Sequence, residues 1–254
     1  MYKHYSIPSS FHSLPIEAFV YPAKKQSRAT AFILKGLYSV HDQKRIDSWE
    51  RELIDMRNDD CTFICINTAR LSVADQTSKE AFVGKTFEEE CNDVALMFEH
   101  LIKNGVVSRS LPIIFITHSF GGTTLLGTPT VLEQASAVIM IASGCGKSLT
   151  TEKPLLQSLF TEEDLLTPLR AYKGIFMYIR GTKDTVVPKE SQDKIISAAT
   201  SAQVRIVSDV LDAEHNLTVS TSNNLQARSS ILASAFDAVL PLTADTNELK
   251  RKAE

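Results

Sequence analysis

The amino-acid sequence predicts an α/β protein: a mostly parallel, twisted sheet with an antiparallel start and helices on both faces. Three observations carry this. Six short apolar runs with little polar alternation recur from residue 31 onward, as parallel strands covered on both faces require. Segments with helical spacing of apolar residues fall between them. The first two strand-like runs, 3–7 and 16–21, instead flank a turn around residues 8–10, which pairs them antiparallel.

The parallel runs are 31–35, 62–66, 113–117, 137–142, 175–180 and 204–207. Ile46, Trp49, Leu53 and Ile54 mark the apolar stripe of a first helix. Phe87, Cys91, Val94, Phe98, Leu101 and Ile102 mark a second. Thr86 followed by Glu89 predicts a capping box at the start of that helix, and Gly105 a stop. Pro188 suits the first turn of a helix through Ile195 and Ile196. Leu225, Ile231, Leu232, Phe236 and Val239 give a last helix over about 223–239. Repeated strand–helix units imply right-handed crossovers.

With 254 residues, 43% apolar and 22% charged, residues 1–242 are expected to form one domain, followed by a charged tail at 243–254. The 27 basic and 30 acidic residues leave a net charge of -3, which gives no general electrostatic reason to bind nucleic acid or an anionic membrane. No apolar run approaches the roughly 20 residues of a membrane span. Residues 1–22 lack a signal-peptide pattern. The four cysteines have no metal-site spacing, and Cys61 and Cys65 on one strand would lie roughly 13 Å apart, too far for a disulfide. They read as reduced residues, and the chain as cytoplasmic.

IIFITHSFGG is the most informative stretch. An apolar strand runs into Ser119, and a helix-compatible segment follows. A serine on so sharp a turn stands above the sheet beside a helix N-terminus, where backbone amides favour negative charge. Small residues two before and two after relieve crowding; Gly121 fills the second place and Thr117 the first. Serine needs a base, and the base an orienting acid. Asp184 follows the strand GIFMYIR and His215 follows VRIVSDV, which puts both on loops at the sheet edge that carries Ser119. Taken alone, Asp184 could be a turn residue and His215 a surface residue. Three such residues in order, each after a strand, read as nucleophile, acid and base.

The pentapeptide around Ser119 resembles the G-x-S-x-G nucleophile elbow of the α/β-hydrolase superfamily, with its first glycine replaced. The order serine, acid, histidine is similar too. The resemblance covers the order of elements from about 15 to 240 and implies a sheet of about eight strands with a small helical cap, placed at about 144–172. It also implies an oxyanion hole of two backbone amides, Phe120 after the nucleophile and Leu37 in AFILKGLYS, where Lys35 replaces a common histidine. After CTFICIN, relatives often carry R-G-H-G-x-S; here Ala69, Arg70, Leu71 and Ser72 stand instead. Arg70 reads as half of a structural ion pair in preference to an anion contact. Leu155, Leu156, Leu159, Phe160, Leu165 and Leu166 suit either a cover over an acyl pocket or ordinary helix packing. Asp212 stands as a backup acid, His118 as elbow packing with its ring turned away, and His41 as a solvent-exposed side chain.

The implied activity is hydrolysis of a small carboxylic ester through an acyl-enzyme, with neither metal nor organic cofactor. Thioester, amide or peptide cleavage shares the same residues, and a silent binding protein on the same fold is the remaining alternative. Oligomeric state is unknown from sequence.

Overall fold

A computed structural model describes residues 2–42, 48–146, 154–219 and 224–243. Its strands are β1 (Lys3–Pro8), β2 (Pro15–Tyr21), β3 (Ala29–Leu34), β4 (Cys61–Asn67), β5 (Ile113–His118), β6 (Ala137–Ile141), β7 (Ile175–Gly181) and β8 (Val204–Val210). They form one sheet in the order β1-β2-β4-β3-β5-β6-β7-β8. β1/β2 and β2/β4 are antiparallel, and every later pair is parallel.

Register sorts the side chains into two layers. Ile64, Phe32, Phe115, Val138 and Phe176 lie across from one another on successive strands and enter one core. Cys65, Ile33, Ile116, Ile139 and Met177, one residue further along, enter the other. Because successive side chains on a strand face opposite ways, an unbroken apolar run is what two covered faces demand. Helices α2 (Phe87–Lys103), α3 (Phe120–Leu126), α6 (Glu162–Ala171) and α7 (Lys189–Ala198) supply the first layer through Phe98, Leu125, Leu165 and Ile195. Helices α1 (Trp49–Arg57) and α8 (Asn224–Val239) supply the second through Leu53 and Phe236. Two further short helices, α4 (Pro129–Leu132) and α5 (Pro154–Gln157), complete the set among the described residues.

Several predicted details shift. β8 runs three residues further than expected and alternates half-buried with exposed positions, because it is the outermost strand on its side of the sheet. Pro188 caps α7 rather than opening its first turn; its φ of -56° is already helix-compatible. The capping box of Thr86 and Glu89 is formed, and Gly105 takes a φ of +68° just past the end of α2. α4 has no counterpart in the sequence reading. Ile46, Asn223 and residues 244–254 of the expected tail lie outside the described residues, as do 147–153 of the expected cap. Thr243, the first residue of that tail, is buried and donates to the carbonyl of Leu240.

All four cysteines are free and buried. No helix among the described residues is long and apolar enough to cross a membrane.

One buried ionic cluster ties α2 to the segment after β4. Lys85, with no exposed side-chain surface, donates to Glu90 at 2.6 Å, Asp93 at 2.7 Å and the Ala69 carbonyl at 2.8 Å. Asp93 also accepts from the Ala69 amide and from the Ser9 hydroxyl. Removing one member of such a cluster strands the others without compensation. Lys85→Met is therefore expected to lower unfolding free energy by about 3–5 kcal/mol, measured by urea titration at neutral pH.

Candidate active site

Ser119 lies between the end of β5 and the first residue of α3. Its φ of 52° and ψ of -121° belong to a region that residues with a Cβ rarely occupy. Its amide is tied to the Ile141 carbonyl at 2.8 Å, which fixes the turn to the neighbouring strand. The turn is possible because α3 packs directly on the end of β3. A Cβ on Gly121 would stand 2.3 Å from the Leu34 carbonyl oxygen and 2.6 Å from that of Lys35. Thr117 replaces the first glycine of the elbow pattern without a clash. Its side chain lies beneath α3, where Gly122 leaves room: a Cβ there would be 3.0 Å from the Thr117 hydroxyl.

The structure brings Ser119, His215 and Asp184 together. Ser119 Oγ is 2.9 Å from His215 Nε2, and His215 Nδ1 is 3.0 Å from Asp184 Oδ2. Asp184 Oδ1 accepts from the amides of Val186 at 2.8 Å and Val187 at 3.1 Å, and Oδ2 accepts from Gln192 Nε2 at 2.9 Å. Burial by itself would raise the Asp184 carboxyl. The hydrogen bonds from His215 and the two amides outweigh it and hold the group below the ordinary carboxylate value. An ionised Asp184 accepts the Nδ1 proton, which leaves Nε2 as the acceptor facing the Ser119 hydroxyl.

The loop after β3 approaches Ser119 from the other side. Gly36 is close enough that a Cβ would lie 3.4 Å from the Ser119 Cβ. The Gly36 carbonyl accepts from the Ser39 amide at 3.0 Å, closing a turn in which Tyr38 has a φ of 62°. In a trans peptide the Leu37 N–H points opposite to that carbonyl, out of the turn. Phe120, as the first residue of α3, has an amide with no partner inside the helix. Both residues line the same cleft as Ser119 and His215.

That cleft encloses about 450 Å³. Leu37, Tyr38, Phe120, Val186, Val187 and Pro188 form its apolar wall, and Leu156 and Leu159 from the α5 region reach it too. Leu165 and Leu166 instead pack into the core. The two readings of this segment thus divide between its residues. Thr123, Ser191 and Asn216 add hydroxyl and amide groups. Apart from His118, His215 and the Tyr38 phenol, no ionisable side chain of the described residues lines this cleft.

Other predicted roles are corrected. The His118 ring does not turn away. It lies 5.1 Å from the His215 ring, and its Nε2 donates to the His215 carbonyl at 3.3 Å. Burial, reinforced by His215, pushes His118 down to about 4, so it is neutral near pH 7. His41 is buried, not exposed: its Nε2 meets the Tyr21 hydroxyl at 2.7 Å, and its Nδ1 lies 3.6 Å from Glu50. Lys35 turns to the same carboxylate and to the Val40 carbonyl. Asp212 pairs with Lys183 at 2.9 Å on the surface, out of the relay. Arg70 ends on two backbone carbonyls instead of a carboxylate; of the two acids near it, Glu90 is engaged by Lys85 and Glu17 by His4. Gln192, the amide donor to Asp184, was not singled out in the sequence; its place one turn into the helix after the acid is the only cue it offers.

Two outcomes follow from this geometry. Gly121→Ala should displace α3 from β3 and lower the thermal midpoint by several degrees, read by calorimetry. Glu50 is fully buried; burial would raise its carboxyl, yet His41 and Lys35 bring it down to about 2. A depressed carboxylate contributes stability that is present above its unfolded value and lost as pH falls through about 4.5 towards 2. Glu50→Gln should flatten that part of the stability–pH curve, measured by urea unfolding from pH 6 to 3.

No family model and no curated protein matches the chain. Solved structures do. The esterase domain of a Rhodothermus marinus protein is 15% identical with a TM-score of 0.64, over 94% of this chain and 99% of that one. Est1E from Butyrivibrio proteoclasticus is 10% identical with a TM-score of 0.67, over 94% and 99%. A puromycin-hydrolyzing peptidase of Mycobacterium tuberculosis is 12% identical with a TM-score of 0.69, over 96% of this chain and 39% of the longer partner. At such identities the likeness speaks for architecture, and together with the mixed eight-stranded sheet it gives the chain the α/β-hydrolase fold.

Proposed function

We propose that the protein is a serine hydrolase that cleaves a small, uncharged carboxylic ester through an acyl-enzyme. The observation that carries this reading is the continuous relay from Ser119 Oγ through His215 to Asp184, at 2.9 and 3.0 Å. In it His215 takes the Ser119 proton as the oxygen attacks the carbonyl carbon. The developing oxyanion is met by the amides of Leu37 and Phe120. The proton then passes to the leaving alcohol oxygen as the C–O bond breaks, releasing the alcohol. Water, deprotonated by the same imidazole, attacks the acyl-enzyme and frees the acid. Asp184 holds the ring in the required tautomer and offsets its positive charge.

The wall of Leu37, Phe120, Leu156, Leu159, Val186 and Val187 favours an apolar acyl or alcohol group, and the scarcity of charge disfavours ionised ones. Leu156 and Leu159 support a small cap over the cleft. Free, buried thiols agree with a cytoplasmic setting. Thioester and amide cleavage use the same relay, and the neighbour that hydrolyses puromycin keeps a peptidase reading in play.

A fluorophosphonate should label the wild-type chain at Ser119, and Ser119→Ala and His215→Ala should each lose labelling. Label on a different serine in Ser119→Ala would remove the assignment. Among p-nitrophenyl esters, neutral acyl groups should turn over at least tenfold faster than a succinyl monoester of similar size. Equal rates would contradict the uncharged-substrate reading.

A further inference from the structure

We infer that Arg70 is a positioning residue: it holds the turn at residues 36–39 in the conformation that presents the Leu37 amide to the cleft. The inference rests on the hydrolase reading above for its catalytic consequence, but the clamp itself is a matter of geometry. The Arg70 guanidinium bridges two loops. One nitrogen donates to the Ser39 carbonyl at 2.5 Å, and another donates to the Gln76 carbonyl at 2.9 Å. Its face lies 4.6 Å from the Phe82 ring centroid, while Tyr38 packs on the same ring at 5.1 Å. Arg70 is thus fixed from three sides, and Phe82 is shared with the residue under strain.

That residue is Tyr38, whose φ of 62° is the left-handed conformation demanded by the third position of this turn. A side chain there is disfavoured, so an unrestrained loop would relax to negative φ and rotate the peptides beside it. The Ser39 carbonyl lies one peptide beyond those flanking Tyr38, and the guanidinium on it anchors the chain just past the turn and so opposes that rotation. The base of the clamp is equally rigid: Ala69, adjacent to Arg70, has its amide held by Asp93 and its carbonyl by Lys85. On the far side, Lys35 holds the Val40 carbonyl, and Asn67 bonds both the amide and the carbonyl of His41. Arg70 thus holds the carbonyl end of the turn, beside the Ser39 amide that bonds Gly36.

A lysine at position 70 keeps the charge but cannot bridge both carbonyls with a planar fork. The test compares wild type, Arg70→Lys, Arg70→Met and Arg70→Met/Tyr38→Gly, using a neutral p-nitrophenyl ester and amide hydrogen exchange across residues 36–42. Arg70→Met should lower kcat at least tenfold with KM within threefold, and Arg70→Lys should fall between it and wild type. Adding Tyr38→Gly to Arg70→Met should recover at least threefold in kcat, because glycine occupies left-handed φ without penalty. Exchange of the 36–42 amides should rise in both single variants. Unchanged exchange and kcat in folded Arg70→Met overturns the proposal, as does a loss confined to KM. Loss of the folded state in both single variants, seen by circular dichroism, also overturns it, since the role would then be structural alone. A wild-type chain that neither turns over the ester nor takes a fluorophosphonate sinks the hydrolase reading instead, and the exchange data still judge the clamp.

Discussion

The contact between the first turn of α3 and the end of β3 is the constraint on which the site depends. Gly121 lets the helix backbone touch the carbonyls of Leu34 and Lys35, at a separation no other residue type permits. With α3 pressed there, the chain between β5 and α3 has room only for an abrupt reversal, and Ser119 takes up the unusual dihedrals. The same contact brings the loop that follows β3 alongside the elbow. Ser119 and the amides of Leu37 and Phe120 are therefore placed by one packing event, held by two covered faces of sheet.

Much of this architecture was legible in the sequence, because it follows from short-range patterns. Six apolar runs marked the parallel strands, and the turn around residues 8–10 marked the antiparallel pair before them. Ser119, Asp184 and His215 could be placed because each follows a strand, and parallel strands deliver their ends to one edge. The elbow's Thr117 looked like a departure. It sits beneath α3 at Gly122, whose missing side chain makes room first for Ser143 and then for Thr117, a three-way packing that a motif does not encode.

What could not be read depends on contacts between distant segments. His118 and His41 were misjudged for this reason: each is enclosed by residues far away in the chain, His215 for one and Tyr21 and Glu50 for the other. Arg70 was expected to find a carboxylate, yet Glu90 is bound to Lys85, whose buried position nothing local announces, and Glu17 to His4. Burial of polar groups is decided by competition for partners over the whole fold, and a linear pattern holds no record of that competition. The largest error in strand length, three residues, is at β8, where the outer position exposes one face and brings in polar residues.

The neutral ring of His118 has a consequence for how charge moves in the cleft. Enclosure holds His118 in its uncharged form across the physiological range, so in the reaction proposed above a proton lifted from Ser119 has a single place to reside. The His118 ring then acts as a spacer of fixed polarity, and the transient positive charge remains beside the carboxylate that offsets it.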